Sequence, residues 1–299
     1  YDVPKADINI LTYKTKNHYY IPYFLYSFKN YKNIENNWNN SIDKFLSRKY
    51  DIVYSSSNCN GGEGAVRRYE LFSKLKLINN KIISIGGCQT TPNMKTPKEE
   101  IRIPGKSFHQ NDSKYKDYKL CIAIENSISD GYITEKIINA YMGGCIPIIW
   151  SGTNKTNKEY YNIFNKESFI DLSDFDNDEE FCMYIENLLN NPEQLLKMRR
   201  ESIFKKPYFK RLNWYNDNSL NDIKDVINKK CKKKNITLYK NKASFNWSAD
   251  LISKLLEDNN VKIKYFETDY PNNGADGSIL PDSKYYDSDA DIIVTEYAG

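Results

Sequence analysis

From Leu120 to Trp150 the chain runs through an apolar segment, a polar loop, an amphipathic segment and a second apolar segment, and few folds accept that order. Leu120-Cys121-Ile122-Ala123-Ile124 has no polar alternation, so it reads as a strand buried on both faces. Ile133, Ile137, Ala140 and Tyr141 recur at helical spacing, and Gly143-Gly144 supplies a helix stop. Cys145-Ile146-Pro147-Ile148-Ile149-Trp150 is then a second buried strand. Two such strands joined through a helix must lie parallel, because the crossover returns the chain to the same edge of the sheet.

The same grammar occurs upstream. Asp51–Ser55 reads as a strand, Asn58–Gly64 as a Gly-rich turn, and Val66, Tyr69, Leu71, Phe72 and Leu75 as a helix leading to a strand at Lys81–Ile85. Downstream, Phe169–Leu172 gives a short strand, and Glu179–Asn190 and Pro192–Phe204 give two amphipathic helices, the second opened by proline. Asn30–Asn40 reads as a polar linker, Asp7–Tyr13 as a strand, and Tyr19–Phe24 as a loop or edge interrupted by Pro22. Ser219–Cys231 reads as a helix that ends in a solvated basic run, Lys229–Lys234, at a domain boundary. Beyond it, strands at Ile236–Tyr239, Val261–Phe266 and Asp291–Thr295, with a helix near Ala249–Glu257, begin another Rossmann-like sheet.

The domain expectation is therefore 1–47 as the end of one lobe with its linker, 48–232 as a ligand-binding Rossmann-like domain, and 233–299 as the first part of a second lobe. Apolar faces at the two ends need cover, and the simplest solution puts Asp7–Tyr13 in one parallel sheet with the three tail strands.

Composition excludes several functions. A net charge of +4, from 43 basic and 39 acidic residues, is too weak to argue for nucleic acid. Six widely spaced cysteines form no C-x-x-C pair and have no histidine neighbours to complete a zinc site, so they read as free thiols. No apolar stretch is long enough to span a membrane and no signal-peptide pattern is present, which points to a soluble, cytoplasmic chain. Because the sequence starts at Tyr1, a Golgi-type anchor upstream stays open.

Chemistry in a doubly wound sheet belongs at the carboxyl ends of its strands, which selects Glu125–Lys136, between a buried strand and the first turn of a helix. Backbone N–H groups at that helix start and the cation of Lys136 suit an anion, and Glu135 brings a carboxylate beside sugar or ribose hydroxyls. Taken alone, Glu135 also suits a helix N-terminus and Lys136 also suits solvent.

The run Tyr118-Lys119-Leu120, Ile124-Glu125-Asn126-Ser127, Tyr132-Ile133-Thr134-Glu135-Lys136 and Gly144-Cys145-Ile146-Pro147-Ile148 resembles the signature of the α1,3/4-fucosyltransferases over more than thirty positions. Ser57-Asn58-Cys59-Asn60, followed by Val66-Arg67 and Tyr69, resembles that family's other donor-binding block. The resemblance covers about Asp51–Leu189 and implies an α/β, GT-B-type protein of two Rossmann-like lobes. It implies metal-independent, inverting transfer of fucose from GDP-fucose to a hydroxyl of a glycan acceptor. By the same resemblance Arg67 and Lys136 hold the donor diphosphate, Asn126, Tyr132 and Glu135 contact the nucleotide sugar, and Ser57 and Asn58 line the pocket. No cofactor is implied beyond the donor itself.

In that family the acceptor lobe comes first and carries a general-base glutamate just before the segment that Asp7–Tyr23 resembles. That block is not found here, so no residue is assigned as base; Glu296 lies near the right strand but upstream of the expected place. The acceptor lobe is expected to be incomplete and split between the two chain ends, by permutation or by a cut through a tandem array. Two other readings stay open. One is a GDP-sugar-binding module without transfer activity. The other is a metal-dependent enzyme using Asp174-Phe175-Asp176, Asp176-Asn177-Asp178, Asp287-Ser288-Asp289 or Asp289-Ala290-Asp291 to hold a divalent cation, none of which ends a strand as such a site requires.

Overall fold

The computed structural model describes residues 10–11, 19–20, 24, 32–56, 62–85, 115–205, 235–241, 262–268 and 292–295. The chain divides into two compact units, Pro22–Lys205 and a second made of Tyr1–Ile21 with Lys206–Gly299. Among the described residues no helix is long and apolar enough to cross a membrane.

Near the start, Ile10–Leu11 (β1) pairs in parallel with Tyr19–Tyr20 (β2), with Ile10 opposite Tyr19. This corrects the single sheet expected for the two ends. Of the segment expected as a strand, Ile10–Leu11 pair locally, where closing a short loop costs less entropy than a long one.

In the Pro22–Lys205 unit Lys32–Asn40 is a helix (α1), where the sequence read a linker. Asparagine is a weak helix former, but Ile34 and Trp38, four residues apart, are both buried, and packing of that stripe against the rest of the unit outweighs propensity. The regular alternation follows: Tyr50–Ser55 (β3), Glu63–Ile78 (α2), Ile82–Ile85 (β4), Tyr118–Ile122 (β5), Glu135–Met142 (α3), Ile146–Ile149 (β6), Glu159–Ile163 (α4), Ile170–Asp171 (β7), Asp178–Leu189 (α5) and Pro192–Arg200 (α6).

All strand pairs in this unit are parallel, in the order β4-β3-β5-β6-β7. The central strands are buried along their length, as their unbroken apolar runs require, and Ile133, Ile137, Ala140 and Tyr141 are all buried as the helical spacing predicts. The α2 stripe is phased differently from the expectation. Gly64, Ala65, Arg68, Leu71, Phe72 and Leu75 face inward, while Val66 is 40% exposed. Trp38 packs edge-on against Tyr141 at 5.1 Å, donates its indole N–H to the Glu201 carbonyl at 3.0 Å, and lies under the Arg199 guanidinium. These contacts tie α1 to α3 and α6.

The chain order explains where a ligand can enter. From β3 the chain moves outward to β4 on one side, then crosses back to β5 and continues to β6 and β7 on the other. The connections leaving β3 and β5 therefore diverge, and the crevice in which a doubly wound sheet receives its ligand is expected between the carboxyl ends of these two strands.

In the second unit, Asn235–Asn241 (β8), Lys262–Thr268 (β9) and Ile292–Thr295 (β10) form a three-stranded parallel sheet in the order β10-β8-β9. The sequence placed strands at these three positions. The helices expected at Ser219–Cys231 and Ala249–Glu257, and the basic run Lys229–Lys234, lie outside the described residues.

Candidate active site

Glu125 follows β5 and is 1% exposed. One carboxylate oxygen accepts the Thr134 backbone N–H at 2.7 Å; the other accepts the Thr134 hydroxyl at 2.6 Å and the Lys136 ammonium at 3.0 Å. The Thr134 hydroxyl also accepts from Lys136 at 2.9 Å, and Glu135 flanks the ammonium at 3.6 Å. The sequence expected the start of α3 and Lys136 to face an anion. In the structure that anion is the protein's own Glu125. Burial works against the charge on Lys136, but Glu125 and Glu135 outweigh it and hold the ammonium above its ordinary range, so it stays protonated.

The opposite wall of the crevice is built by α2. The backbone N–H groups of Gly64 and Ala65 donate to the Asn126 carbonyl at 3.0 and 3.3 Å. The approach is so close that a Cβ on Gly64 would lie 2.0 Å from the Glu125 carbonyl oxygen. Gly62, at φ 111°, turns the chain into the helix in a conformation other residues avoid. Arg68, 1% exposed, spans the crevice floor: its guanidinium donates to the Ile124 carbonyl at 2.7 Å, the Ser56 hydroxyl at 2.8 Å and the Asn126 side-chain carbonyl at 3.0 Å. It thus links the ends of β3 and β5 and fixes the orientation of Asn126.

Tyr132 sits on the β5–α3 loop. Burial, with Glu125 and Glu135 nearby, pushes its phenol well above its ordinary pKa, so it acts as a neutral hydrogen-bonding group. The loop is held by buried Asn157, whose amide oxygen accepts the Gly131 N–H at 2.9 Å and whose NH2 donates to the Tyr132 carbonyl at 3.0 Å.

Asn126, Tyr132, Glu135 and Lys136 are thus grouped around Glu125 and Arg68. Arg67 is placed apart from them. Its guanidinium makes a two-pronged bond to Asp178 at the start of α5, one arm at 2.9 Å, and lies 5.8 Å from the centre of the Trp150 ring, just past β6. Asp178 also takes Lys74 at 2.7 Å. The Arg67 bond, followed by that of Lys74, holds the Asp178 carboxyl down at about 2. Ser57 and Asn58 lie outside the described residues.

Of the acidic pairs considered for a cation, Asp174 is held by Lys155 at 2.6 Å and by Lys166, and Asp178 by Arg67 and Lys74. Asp287, Asp289 and Asp291 lie outside the described residues. Among the described residues no three His, Cys, Asp or Glu side chains gather as metal ligands, and Cys121, Cys145 and Cys182 are free thiols.

Residues 45–241 match the family described as Glycosyltransferase family 10 (fucosyltransferase) C-term, well over half of the chain. The chain belongs to glycosyltransferase family 10. An alpha-(1,3)-fucosyltransferase of Helicobacter pylori is 39% identical over 85 residues, 28% of this chain and 17% of that protein. The 4-galactosyl-N-acetylglucosaminide 3-alpha-L-fucosyltransferase 9 of Mus musculus is 31% identical over 128 residues, 41% of this chain and 31% of that one. The matched region spans less than a third of the length of these curated relatives. The crystal structure of an alpha1,3-fucosyltransferase with GDP-fucose superposes with a TM-score of 0.51 at 20% identity, over 74% of this chain and 70% of that one, and supports the parallel α/β fold.

Sequence reasoning passed over Glu125, Thr134, Arg68 and Asn157. The signal for Arg68 was present in the α2 stripe, because position 68 lies in line with 64, 65, 71, 72 and 75 while position 67 does not. Asn157 is 25 residues from the loop carbonyl it holds, beyond the reach of any local pattern.

Proposed function

We propose that the chain moves fucose from GDP-fucose to a hydroxyl of a glycan acceptor, with inversion and without a metal, and that Pro22–Lys205 carries the donor-binding half of that activity. The observation that carries this reading is a protonated lysine fixed at the first turn of α3, on the rim of the crevice between β3 and β5. Breaking the glycosyl–phosphate bond leaves positive charge on the sugar and additional negative charge on departing GDP, and preorganised cations stabilise the second. Lys136 takes that role, with Arg67 as the second cation. Asn126, Tyr132 and Glu135 meet the nucleotide sugar, and Ser57 and Asn58 line the same pocket. Arg67 reaches the diphosphate either through N–H groups not directed at Asp178 or by releasing it.

The unit drawn from both chain ends is proposed as the acceptor lobe, and its general base stays unassigned. Inversion comes from direct displacement by the acceptor hydroxyl, whose proton a general base, here proposed as a carboxylate, takes; the acceptor lobe then decides turnover while the crevice decides donor affinity.

GDP and GDP-fucose are expected to raise the melting temperature in the presence of EDTA, by the linkage that stabilises any state binding a ligand. A shift that needs added divalent cation, or a preference for UDP- or CMP-sugars, overturns the metal-free GDP reading. A GDP shift without detectable fucose transfer would identify a donor-binding module instead.

Lys136→Ala and Arg67→Ala are each expected to weaken GDP binding by about 1.5–3 kcal/mol, the range for a charge-assisted hydrogen bond, with the fold retained. Calorimetry checks this, and unchanged affinity in both variants leaves these side chains as internal ion-pair partners of Glu125 and Asp178 with no part in donor binding.

A further inference from the structure

We propose that Glu125 is a positioning residue for donor binding, acting through Lys136; the inference rests on the GDP-sugar reading of the crevice. A fully buried carboxylate must be compensated, and every compensation given for Glu125 comes from the segment that would meet the diphosphate: the Thr134 N–H, the Thr134 hydroxyl and the Lys136 ammonium. Lysine is a flexible four-carbon arm that loses considerable rotamer entropy when it is held in one place. Here two acceptors, Glu125 at 3.0 Å and the Thr134 hydroxyl at 2.9 Å, hold it before any ligand arrives. A lysine ammonium carries three N–H donors, Glu125 and Thr134 take two, and the side chain is 21% exposed, so the third, flanked by Glu135 at 3.6 Å, is the one that would serve an incoming phosphate oxygen without loss of Glu125.

The arrangement makes a prediction whose sign separates it from simple electrostatics. Removing a carboxylate from beneath a diphosphate site relieves repulsion and, by charge alone, tightens GDP binding. If Glu125 works by holding Lys136, its loss weakens GDP binding, and only while Lys136 is present.

The test is a double-mutant cycle read by calorimetry with GDP, with melting temperatures measured in parallel. Glu125→Gln keeps the size and one carbonyl acceptor but removes the charge. It is expected to weaken GDP binding about tenfold in the wild-type background, the scale of one charge-assisted hydrogen bond, and by less than about twofold in the Lys136→Ala background. Equal losses in both backgrounds would mean that Glu125 supports the fold rather than the lysine, and tighter or unchanged GDP binding would mean that its charge or nothing at all is felt; each overturns the proposal. Thr134→Val removes the hydroxyl that bridges Glu125 and Lys136. It serves if Glu125→Gln does not fold, with an expected loss of about threefold that likewise vanishes without Lys136. Wild-type protein that does not bind GDP would overturn the donor reading itself. Wild-type binding that depends on Lys136 but ignores Glu125 and Thr134 would overturn this inference alone.

Discussion

Trp38→Ala is expected to destabilise the Pro22–Lys205 unit by about 3–5 kcal/mol, the range for truncating a large buried aromatic residue. Trp38 is 1% exposed and does three jobs at once. It packs edge-on against Tyr141 in α3, donates to the Glu201 carbonyl just past α6, and forms the surface on which the Arg199 guanidinium lies at 3.4 Å. Arg199 is itself fully buried; burial, with Arg48 nearby, pulls its guanidinium down to about 9. Without the indole face that cation loses its nearest aromatic support and keeps its bonds to the Trp38 carbonyl and the Ser41 hydroxyl and the more distant Phe45 ring at 5.1 Å. Urea unfolding followed through the transition of this unit measures the loss. A change below about 1 kcal/mol would mean that α1 is a loosely attached appendage, as the linker reading had it.

Gly64→Ala is expected to be the most damaging single-methyl change, costing about 3 kcal/mol and removing GDP binding with it. The added Cβ would meet the Glu125 carbonyl oxygen at 2.0 Å and its carbonyl carbon at 3.0 Å. These are backbone atoms at the end of a buried strand and cannot swing aside as a flexible side chain can. The helix must retreat, which breaks the Gly64 and Ala65 N–H bonds to the Asn126 carbonyl and draws Arg68 away from Ile124 and Ser56. Alanine elsewhere in a helix interior is favoured over glycine, so propensity predicts the opposite sign. Equal or higher stability of the variant would show that the crevice walls are not in contact as described.

Much of the Pro22–Lys205 unit was legible because buried parallel strands and amphipathic helices leave strong periodic marks. Leu120–Ile124, the Ile133-Ile137-Ala140-Tyr141 stripe and Cys145–Trp150 are the clearest cases; β5 and α3 overlap the first two and β6 lies within the third. Lys32–Asn40 was missed because its composition argued louder than two apolar residues four apart. Within the proposed site, Lys136 and Glu135 were singled out by their place in a strand–loop–helix corner, and Asn126 and Tyr132 by the family resemblance alone. Glu125 escaped notice because a carboxylate directly after an apolar strand carries no local sign that it will be buried. Its partners are Thr134 and Lys136, 9 and 11 residues further on, across a loop whose path a pattern of residue types does not specify. Arg67 and Arg68 illustrate the same limit, since adjacent identical residues differ only in the face of the helix on which they fall.

The order of strands in the five-stranded sheet has a consequence for how such proteins can diversify. The crevice is assembled from two separate strand–loop–helix corners, β3 into α2 and β5 into α3, and every tie across it joins one corner to the other: Gly64 and Ala65 to Asn126, Arg68 to Ile124 and Asn126. A chimera that imports only one corner from a relative inherits half of a matched pair, whereas a transplant of both corners carries its own fit. Inheritance at this site should therefore be by the pair, with the β4 edge free to vary and the flank beyond β6 constrained where Asn157 holds the β5–α3 loop and Asp178 holds Arg67.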